Sequence, residues 1–194
     1  MVEKKFTSNP LGNPKYTWDD TVGAIGKDFS GGNEILADEV IEYTSVVRLC
    51  EPWEIGNPIY WSEQVAKQLG YRGVVAPLSA LRSTFLKASG WKPGQKTQFP
   101  TPEPNASFPL HPTGEEIPMP PVTNGAFTNM EMEFFEPVCV GDRLTVRGDK
   151  LVNASLKRTR VGFGAFVTRE RRAYNQRGEL VARITGTTYC YNRE

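Results

Sequence analysis

Apolar and acidic residues alternate near position 130. Met130, Met132 and Phe134 take turns with Glu131 and Glu133, a pattern typical of a strand with one buried face. The residues at 140–143 then favour a turn, and residues 144–148 read as a second strand. The pattern predicts a β-hairpin that runs from the first strand into the second.

Two longer strand-like runs follow at residues 160–174 and 180–191. The segment between them, residues 175–178, is polar and offers Gly178 for a turn position with positive φ. We therefore expect the C-terminal half of the chain to form an antiparallel meander.

Helical spacing appears earlier in the chain, after a short apolar stretch at residues 35–37. Asp38 can cap a first helix, Ser62 can cap a second helix that Gly70 closes, and a third helical segment is predicted over residues 79–88. The apolar faces predicted for the three helices are Val40, Tyr43, Thr44 and Val47; Val65, Ala66 and Leu69; and Leu81, Phe85 and Leu86. Helices followed by strands indicate an α+β fold, in which the sheet covers one helix.

Two stretches lack a regular pattern. Residues 1 to about 20 read as an irregular arm outside the core, and residues 91–121 contain nine prolines, which is incompatible with an interior strand or helix. A loop of that length either covers a binding cleft or a subunit interface, or is a surface insertion. No internal repeat is visible, so residues 1–194 are interpreted as one domain.

Composition narrows the class of ligand. The chain has 23 Lys and Arg against 22 Asp and Glu. This nearly neutral net charge gives no indication of binding to nucleic acid or to an anionic membrane. No apolar run approaches the length of a membrane span, and no signal peptide is apparent, so we expect a cytoplasmic protein. Cys50, Cys139 and Cys190 are widely separated, which argues against a disulfide framework or a zinc site and predicts buried thiols. We expect no metal and no cofactor.

Residues 56–62, together with residues 69–77, carry a family resemblance. The sequence Gly-Asn-Pro-Ile-Tyr-Trp-Ser, a short helix and the apolar turn Gly-Val-Val-Ala-Pro resemble the hot-dog helix region of MaoC-like (R)-specific enoyl-thioester hydratases. The segments at 135–144 and 174–181 look like the rest of that domain. The resemblance covers residues 35–191 and is nearest to the FAS1-like dehydratase branch, which includes non-catalytic halves. It implies a single hot-dog fold, an antiparallel sheet wrapped around a central helix.

The same resemblance bears on catalysis. Active relatives carry an Asp-x-Asn-Pro-x-His motif, whose aspartate and histidine act on one water; the aligned positions here are Ile55 and Tyr60. Isoleucine exchanges no proton, and tyrosine with a pKa near 10 is a poor base at neutral pH. We therefore expect no catalytic residue in this chain. The residues expected to bind substrate are Asn57, Tyr60, Val75, Ala76, Pro77 and Leu78, although the apolar ones and Trp61 also have a simple core interpretation.

Two functional hypotheses follow. In the first, the chain is a subunit of a heteromeric enoyl-CoA hydratase or 3-hydroxyacyl-thioester dehydratase, and a smaller hot-dog subunit carries the intact Asp/His dyad. In the second, it is a self-sufficient homodimer that binds acyl thioesters of CoA or acyl carrier protein, or a thioesterase using Glu54 or Glu63.

The chain's one histidine, His111, falls in the proline-rich loop and is interpreted as a solvent-exposed residue. Unpaired sheet edges and many late aromatic residues predict a homo- or hetero-oligomer that pairs through the sheet edge.

Overall fold

A five-stranded antiparallel sheet organises the chain. The computed structural model describes residues 12–37, 39–81, 85–86 and 115–193. The strands are β1 (Glu34–Leu36), β2 (Asn124–Phe134), β3 (Thr145–Thr159), β4 (Gly162–Tyr174) and β5 (Leu180–Asn192), in the spatial order β1-β3-β4-β5-β2. The consecutive strands β3, β4 and β5 pair antiparallel, which confirms the predicted meander.

One face of the sheet bears the core and is called the inner face. Along β4 it carries Ala165, Val167 and Ala173, all buried, and the register places Cys190 and Ala182 of β5 opposite the first and the last of them. The other face, the outer face, carries Phe166, Tyr189 and Tyr191, whose rings stack on each other. Three of the late aromatic residues are therefore packed within this chain.

Three short α-helices and two 3₁₀ helices complete the described structure. They are α1 (Trp18–Gly23), α2 (Tyr43–Cys50), α3 (Glu63–Gln68) and the 3₁₀ helices Pro58–Tyr60 and Leu78–Ala80. Leu81 and Phe85 are buried in the same cluster as Ala173, Ala182 and Ile184 of the inner face. This cluster, the main core, also contains Ile41, Val46, Cys50, Val74, Ala76, Val138 and Leu144. The helical turn after Pro77 therefore packs against the inner face of the sheet, as an α+β hot-dog fold requires.

A second core covers the other half of the inner face. It comprises Ala24, Phe29, Val122, Leu151, Ala165, Val167 and Cys190, with Trp18 packed against it. Helix α1 starts behind a capping box, in which Thr17 accepts from the Asp20 backbone N–H and Asp20 accepts from the Thr17 N–H. The prediction that residues up to about 20 stay outside the core was therefore wrong at Trp18. Residues 1–11 lie outside the described part of the chain.

The predicted hairpin between residues 130–134 and 144–148 was also wrong. Strand β2 pairs with β5, with Met132 opposite Ile184, whereas β3 pairs with β1 and β4. The connection between β2 and β3 does not fold into a tight turn, because its backbone bonds to residues 74–76: Ala76 N–H donates to Val138 O, and Val140 N–H donates to Val74 O. These long-range bonds replace the local pairing that the alternation suggested.

The helix predictions were confirmed in part. Ser62 caps α3 by accepting from the Val65 N–H, and Gly70 follows the helix with a φ of 89°, both as predicted, although Leu69 is exposed. Helix α2 begins at Tyr43 and buries Val46 and Cys50, so its predicted start and apolar face were wrong. Ile41 cannot join the helix, since its N–H and C=O bond to Asp142 O and Gly141 N–H.

Asp38, residues 82–84 and residues 87–114 of the predicted third helix and proline-rich loop lie outside the described residues; residues 115–121 form no regular element.

Candidate functional site

The Asn57-Pro58 turn sets the geometry of the candidate site. Asn57 caps the 3₁₀ helix Pro58–Tyr60, and its Oδ1 accepts from the Ile59 backbone N–H at 3.2 Å. Pro58 occupies the first helical position, where its missing N–H costs nothing. Asn57 itself is exposed. The two residues that follow Pro58 in the turn, Ile59 and Tyr60, are half-buried.

Ile55 and Tyr60, the positions aligned with the dyad, both pack against the main core and are half-buried. The backbone of Ile55 is held on both sides, because its N–H donates to Cys50 O at 3.0 Å and its C=O accepts from Trp61 Nε1 at 2.7 Å. Trp61 packs against the main core as well.

The Tyr60 hydroxyl and the Cys50 thiol are weak acids in this site. Burial raises the pKa of the Tyr60 hydroxyl, and the nearby Cys50 and Tyr71 raise it further. Burial also raises the pKa of the Cys50 thiol. At neutral pH the Tyr60 hydroxyl and the Cys50 thiol therefore stay protonated, and neither can take a proton from water.

Neither acid proposed for the thioesterase hypothesis lies in the core. Glu63 is exposed and forms an ion pair with Lys67 at 2.7 Å, four residues further along α3. Glu54 is exposed and adopts a φ of 51°, the one non-glycine residue with positive φ in the described chain. His111 lies outside the described residues.

Residues 74–78 run beside the Asn57 turn. Val75 N–H donates to Ile59 O at 3.0 Å, and Val75 pairs with Cys139 across an isolated antiparallel bridge. Val75, Ala76 and Pro77 are buried and Leu78 is half-buried. The structure therefore brings the Asn57–Tyr60 turn and the 74–78 segment together and gives these apolar residues a core role. Their contact with an acyl chain remains a prediction.

The buried carboxylate of Asp142 anchors the neighbourhood of residues 74–78. From the sequence, this residue was interpreted only as part of a turn. Asp142 accepts from both terminal nitrogens of Arg72, from the Cys139 N–H and from Gln176 Nε2, and Arg177 lies within ion-pair distance. A turn aspartate is ordinarily solvated. The local sequence does not distinguish Asp142 from a solvated turn aspartate. Only its burial in the folded chain does so.

A second buried carboxylate lies on the inner face between the two cores. Asp149 accepts from Nε and Nη2 of both Arg169 and Arg171, which have the same parity along β4 as the core residues Val167 and Ala173. Burial and the neighbouring Arg171 lower the pKa of Arg169 to about 10. Two arginines at inward positions of a strand were a readable signal that the sequence analysis missed.

Beside Asp149 lies a small cavity lined by Ser30, Asn33 and Arg171, among others. Its volume is about 10 Å³, room for about one water molecule. It is far too small for an acyl chain.

The three cysteines behave as predicted. Cys50, Cys139 and Cys190 are free and buried, and burial raises the pKa of Cys190 to about 11. Within the parts of the chain that the structure describes, no helix combines the length and apolar character needed to cross a bilayer.

The sheet order, the helical turn on its inner face and the Asn-Pro turn together define a hot-dog domain of the MaoC-like dehydratase class. Residues 24–184 match the family described as the FAS1-like, dehydratase domain region. Since this match spans most of the chain, the protein belongs to that family, which confirms the resemblance read from the sequence.

Solved structures share the fold. The ChsH1–ChsH2 complex from Mycobacterium tuberculosis superposes with a TM-score of 0.61 at 16% identity, covering 91% of this chain and 90% of that one. The MaoC-like dehydratase from Rhodospirillum rubrum gives a TM-score of 0.56 at 18% identity, with 88% and 94% covered.

One curated relative is similar in sequence. It is the "Probable enoyl-CoA hydratase alpha subunit" of Thermomonospora curvata, 30% identical over 131 residues. The match covers 65% of this chain and 37% of that relative, so the chain corresponds to little more than a third of it.

Proposed function

We propose that this chain is a subunit of a heteromeric (R)-specific enoyl-CoA hydratase or 3-hydroxyacyl-thioester dehydratase, and that it contributes the acyl-binding pocket and not the catalytic dyad. One observation carries the proposal. The positions that hold the proton-transfer pair in active relatives contain Ile55, which has no titratable group, and Tyr60, whose pKa is raised by burial.

The chemistry explains why a second subunit is needed. Hydration adds water across the C2–C3 double bond of an enoyl thioester: the oxygen bonds to C3, and a proton reaches C2. A carboxylate and an imidazole that contact the same water perform both transfers. In the proposed assembly the partner supplies this pair, and Asn57, Tyr60 and residues 75–78 of this chain shape the acyl side of the pocket.

The proposed partner is a smaller hot-dog subunit with an intact Asp-x-Asn-Pro-x-His motif. The name of the curated relative, an alpha subunit, and the two-component title of the ChsH1–ChsH2 structure support a mixed assembly. The sheet supports it as well, because β2 lies at one end of the strand order and, among the described residues, pairs with β5 alone.

The alternative of a self-sufficient thioesterase is less well supported. It needs an acid poised near the helix start, whereas Glu63 is paired with Lys67 in solvent and Glu54 is exposed. A homodimer that only binds acyl thioesters remains the competing hypothesis, and the activity assay below separates it from the proposal.

The test is to purify the chain from its native source, identify the copurifying hot-dog subunit and assay each component with crotonyl-CoA and longer enoyl-CoAs. We expect the chain alone to match the buffer rate and the complex to turn over. Robust turnover by the chain alone that is abolished by Tyr60→Phe would overturn the subunit assignment. So would a complex that stays inactive although its partner has the intact motif.

A further inference from the structure

Two arginines share one carboxylate on the inner face of the sheet. Asp149, whose side chain is buried, accepts from Nε and Nη2 of both Arg169 and Arg171. Among the described residues, it is the one carboxylate within ion-pair distance of either guanidinium. A single arginine would balance Asp149, so the three side chains together carry one positive charge in excess.

This excess charge persists at neutral pH. Burial and the neighbouring Arg171 lower the pKa of Arg169 to about 10, still well above neutral pH, so the guanidinium stays cationic. Burial lowers the pKa of Arg171 as well. A lowered arginine pKa means that the cationic form is less stable here than in water, and a bound anion reverses that effect. The two arginines therefore favour an anionic ligand.

The inner face beside Arg169 is apolar and exposed. Arg169 lies opposite Gly186 of β5, and Gly186 lies opposite Met130 of β2. A Cβ at Gly186 would lie 3.2 Å from the Phe127 ring, so this ring covers the glycine. Phe127 and Met130 are 59% and 39% exposed. An exposed apolar strip, Phe127 and Met130, therefore borders a cationic side chain.

The apolar strip continues the candidate site. Met132, the next inner position of β2, packs against the main core, as Tyr60 does. Met132 lies opposite Ile184, which lies opposite Arg171. Successive inner positions along a strand are about 7 Å apart, so the row that contains Arg169 is one such step beyond the row of Ile184.

We propose that Arg169 binds a carboxylate at the far end of the acyl group, so that the substrates of this subunit are ω-carboxyacyl thioesters, whose acyl chain ends in a carboxylate. This inference deepens the proposed function and rests on it, because it names the substrate class of the same pocket. The methylene chain lies along Met130 and Phe127, and its end reaches the guanidinium.

The charge and the exposure of the two arginines support this assignment. A carboxylate carries one negative charge, which matches the excess of one positive charge, whereas a phosphate monoester carries close to two. The cavity beside Asp149 has a volume of about 10 Å³, too small for a carboxylate group. The anion is therefore assigned to Arg169, whose side chain is 37% exposed, against 16% for Arg171.

The test uses saturated acyl-CoAs, which have no double bond to hydrate. Succinyl-, glutaryl-, adipyl- and suberyl-CoA are titrated into the copurified complex by calorimetry, each beside the methyl-ended acyl-CoA of equal carbon number. Where the chain length brings the carboxylate to Arg169, we expect the ω-carboxy ligand to bind at least about tenfold more tightly, as a hydrogen bond between charged groups allows. If none of the four pairs shows this preference, the inference is overturned.

A pair of variants locates the carboxylate. Arg169→Gln removes the excess charge and leaves Asp149 paired with Arg171. Arg172→Gln is the matched control, because it removes the same charge from an exposed position of opposite parity on the same strand. We expect Arg169→Gln to abolish the preference and Arg172→Gln to retain it. A preference that survives Arg169→Gln would also overturn the inference, and the comparison of ligands on the wild type does not depend on the folding of either variant.

Hydratase assays of the same complex separate this inference from the proposed function. If the complex hydrates methyl-ended enoyl-CoAs but shows no preference for ω-carboxy ligands, the substrate class is refuted and the subunit assignment stands. If the preference depends on Arg169 but the complex hydrates neither class of enoyl-CoA, the carboxylate site is supported and the assigned function fails.

Discussion

Arg72 binds Asp142, 70 residues further along the chain, through two hydrogen bonds: Nη1 donates to Oδ1 at 3.0 Å, and Nη2 donates to Oδ2 at 2.8 Å. The carboxylate is 1% exposed. It also accepts from the Cys139 N–H, and Gln176 reaches it from the β4–β5 turn. One buried charge therefore joins the segment before residues 74–78, the β2–β3 connection and the β4–β5 turn.

Removing this carboxylate should be costly. Asp142→Ala leaves the Arg72 guanidinium, which is 41% exposed and can turn to water, and the buried Cys139 N–H without their acceptor, and an unsatisfied buried donor costs about 1–3 kcal/mol. We expect a loss of that order in the free energy of unfolding, measured by urea titration. Lys67→Ala, which breaks the exposed Glu63–Lys67 pair, is the control and should change it by less than about 0.5 kcal/mol. Equal losses in the two variants would contradict this description of Asp142.

The same carboxylate predicts a pH dependence. Burial alone would raise the pKa of Asp142, but the hydrogen bonds from Arg72 and the Cys139 N–H outweigh it and hold the pKa below the ordinary value of 3.8. A lowered folded-state pKa gives stability that is present above the unfolded value and is lost as the pH falls through the folded one. The stability difference between wild type and Asp142→Asn should therefore be constant above about pH 5 and shrink below about pH 4. Urea titrations across this range test the sign, and a difference that grows on acidification would contradict it.

Local signals in the sequence predicted the elements that local chemistry determines. The polar turn at residues 175–178, the Ser62 cap and the Asn57-Pro58 turn each depend on groups a few residues apart, and each lies where it was predicted. The family was also readable from the sequence, because its motif is a contiguous stretch.

Long-range pairing explains what the sequence did not reveal. The alternation in β2 is compatible with any antiparallel neighbour, so it could not indicate β5 instead of β3. The start of α2 depends on bonds between Ile41 and residues 141–142, and the burial of Asp142 depends on Arg72. None of these partners is near in sequence, and each became visible only in the folded chain.

Gly164 lies at a close approach of β4 to β5. A Cβ at this position would lie 2.0 Å from Cys190 O and 2.7 Å from the Tyr191 Cα, both backbone atoms of the neighbouring strand. Gly164→Ala should therefore force the two strands apart and destabilise the fold by about 1–3 kcal/mol or more, as overpacking does. The control is Gly23→Ala, where a Cβ meets no atom within 4 Å; it should be neutral or slightly stabilising. Thermal unfolding of both variants measures the difference, and a fully stable Gly164→Ala would show that the strands can separate freely.

Restoring the motif tests whether the site retains its catalytic shape. Ile55→Asp/Tyr60→His returns the dyad to a turn whose backbone is fixed by the bonds from Ile55 to Cys50 and Trp61. General acid–base groups contribute about 10²–10⁴-fold, and we expect the chain alone to gain at least roughly tenfold in crotonyl-CoA hydration over buffer. The aspartate replaces a side chain that packs against the main core, so stability should fall by about 1–3 kcal/mol, and circular dichroism must first show that the variant is folded. Tyr60→His alone, which lacks the carboxylate, is the matched control and should stay at the buffer rate. A folded double variant that binds acyl-CoA but remains at that rate would show that the geometry needed for proton transfer has been lost together with the dyad.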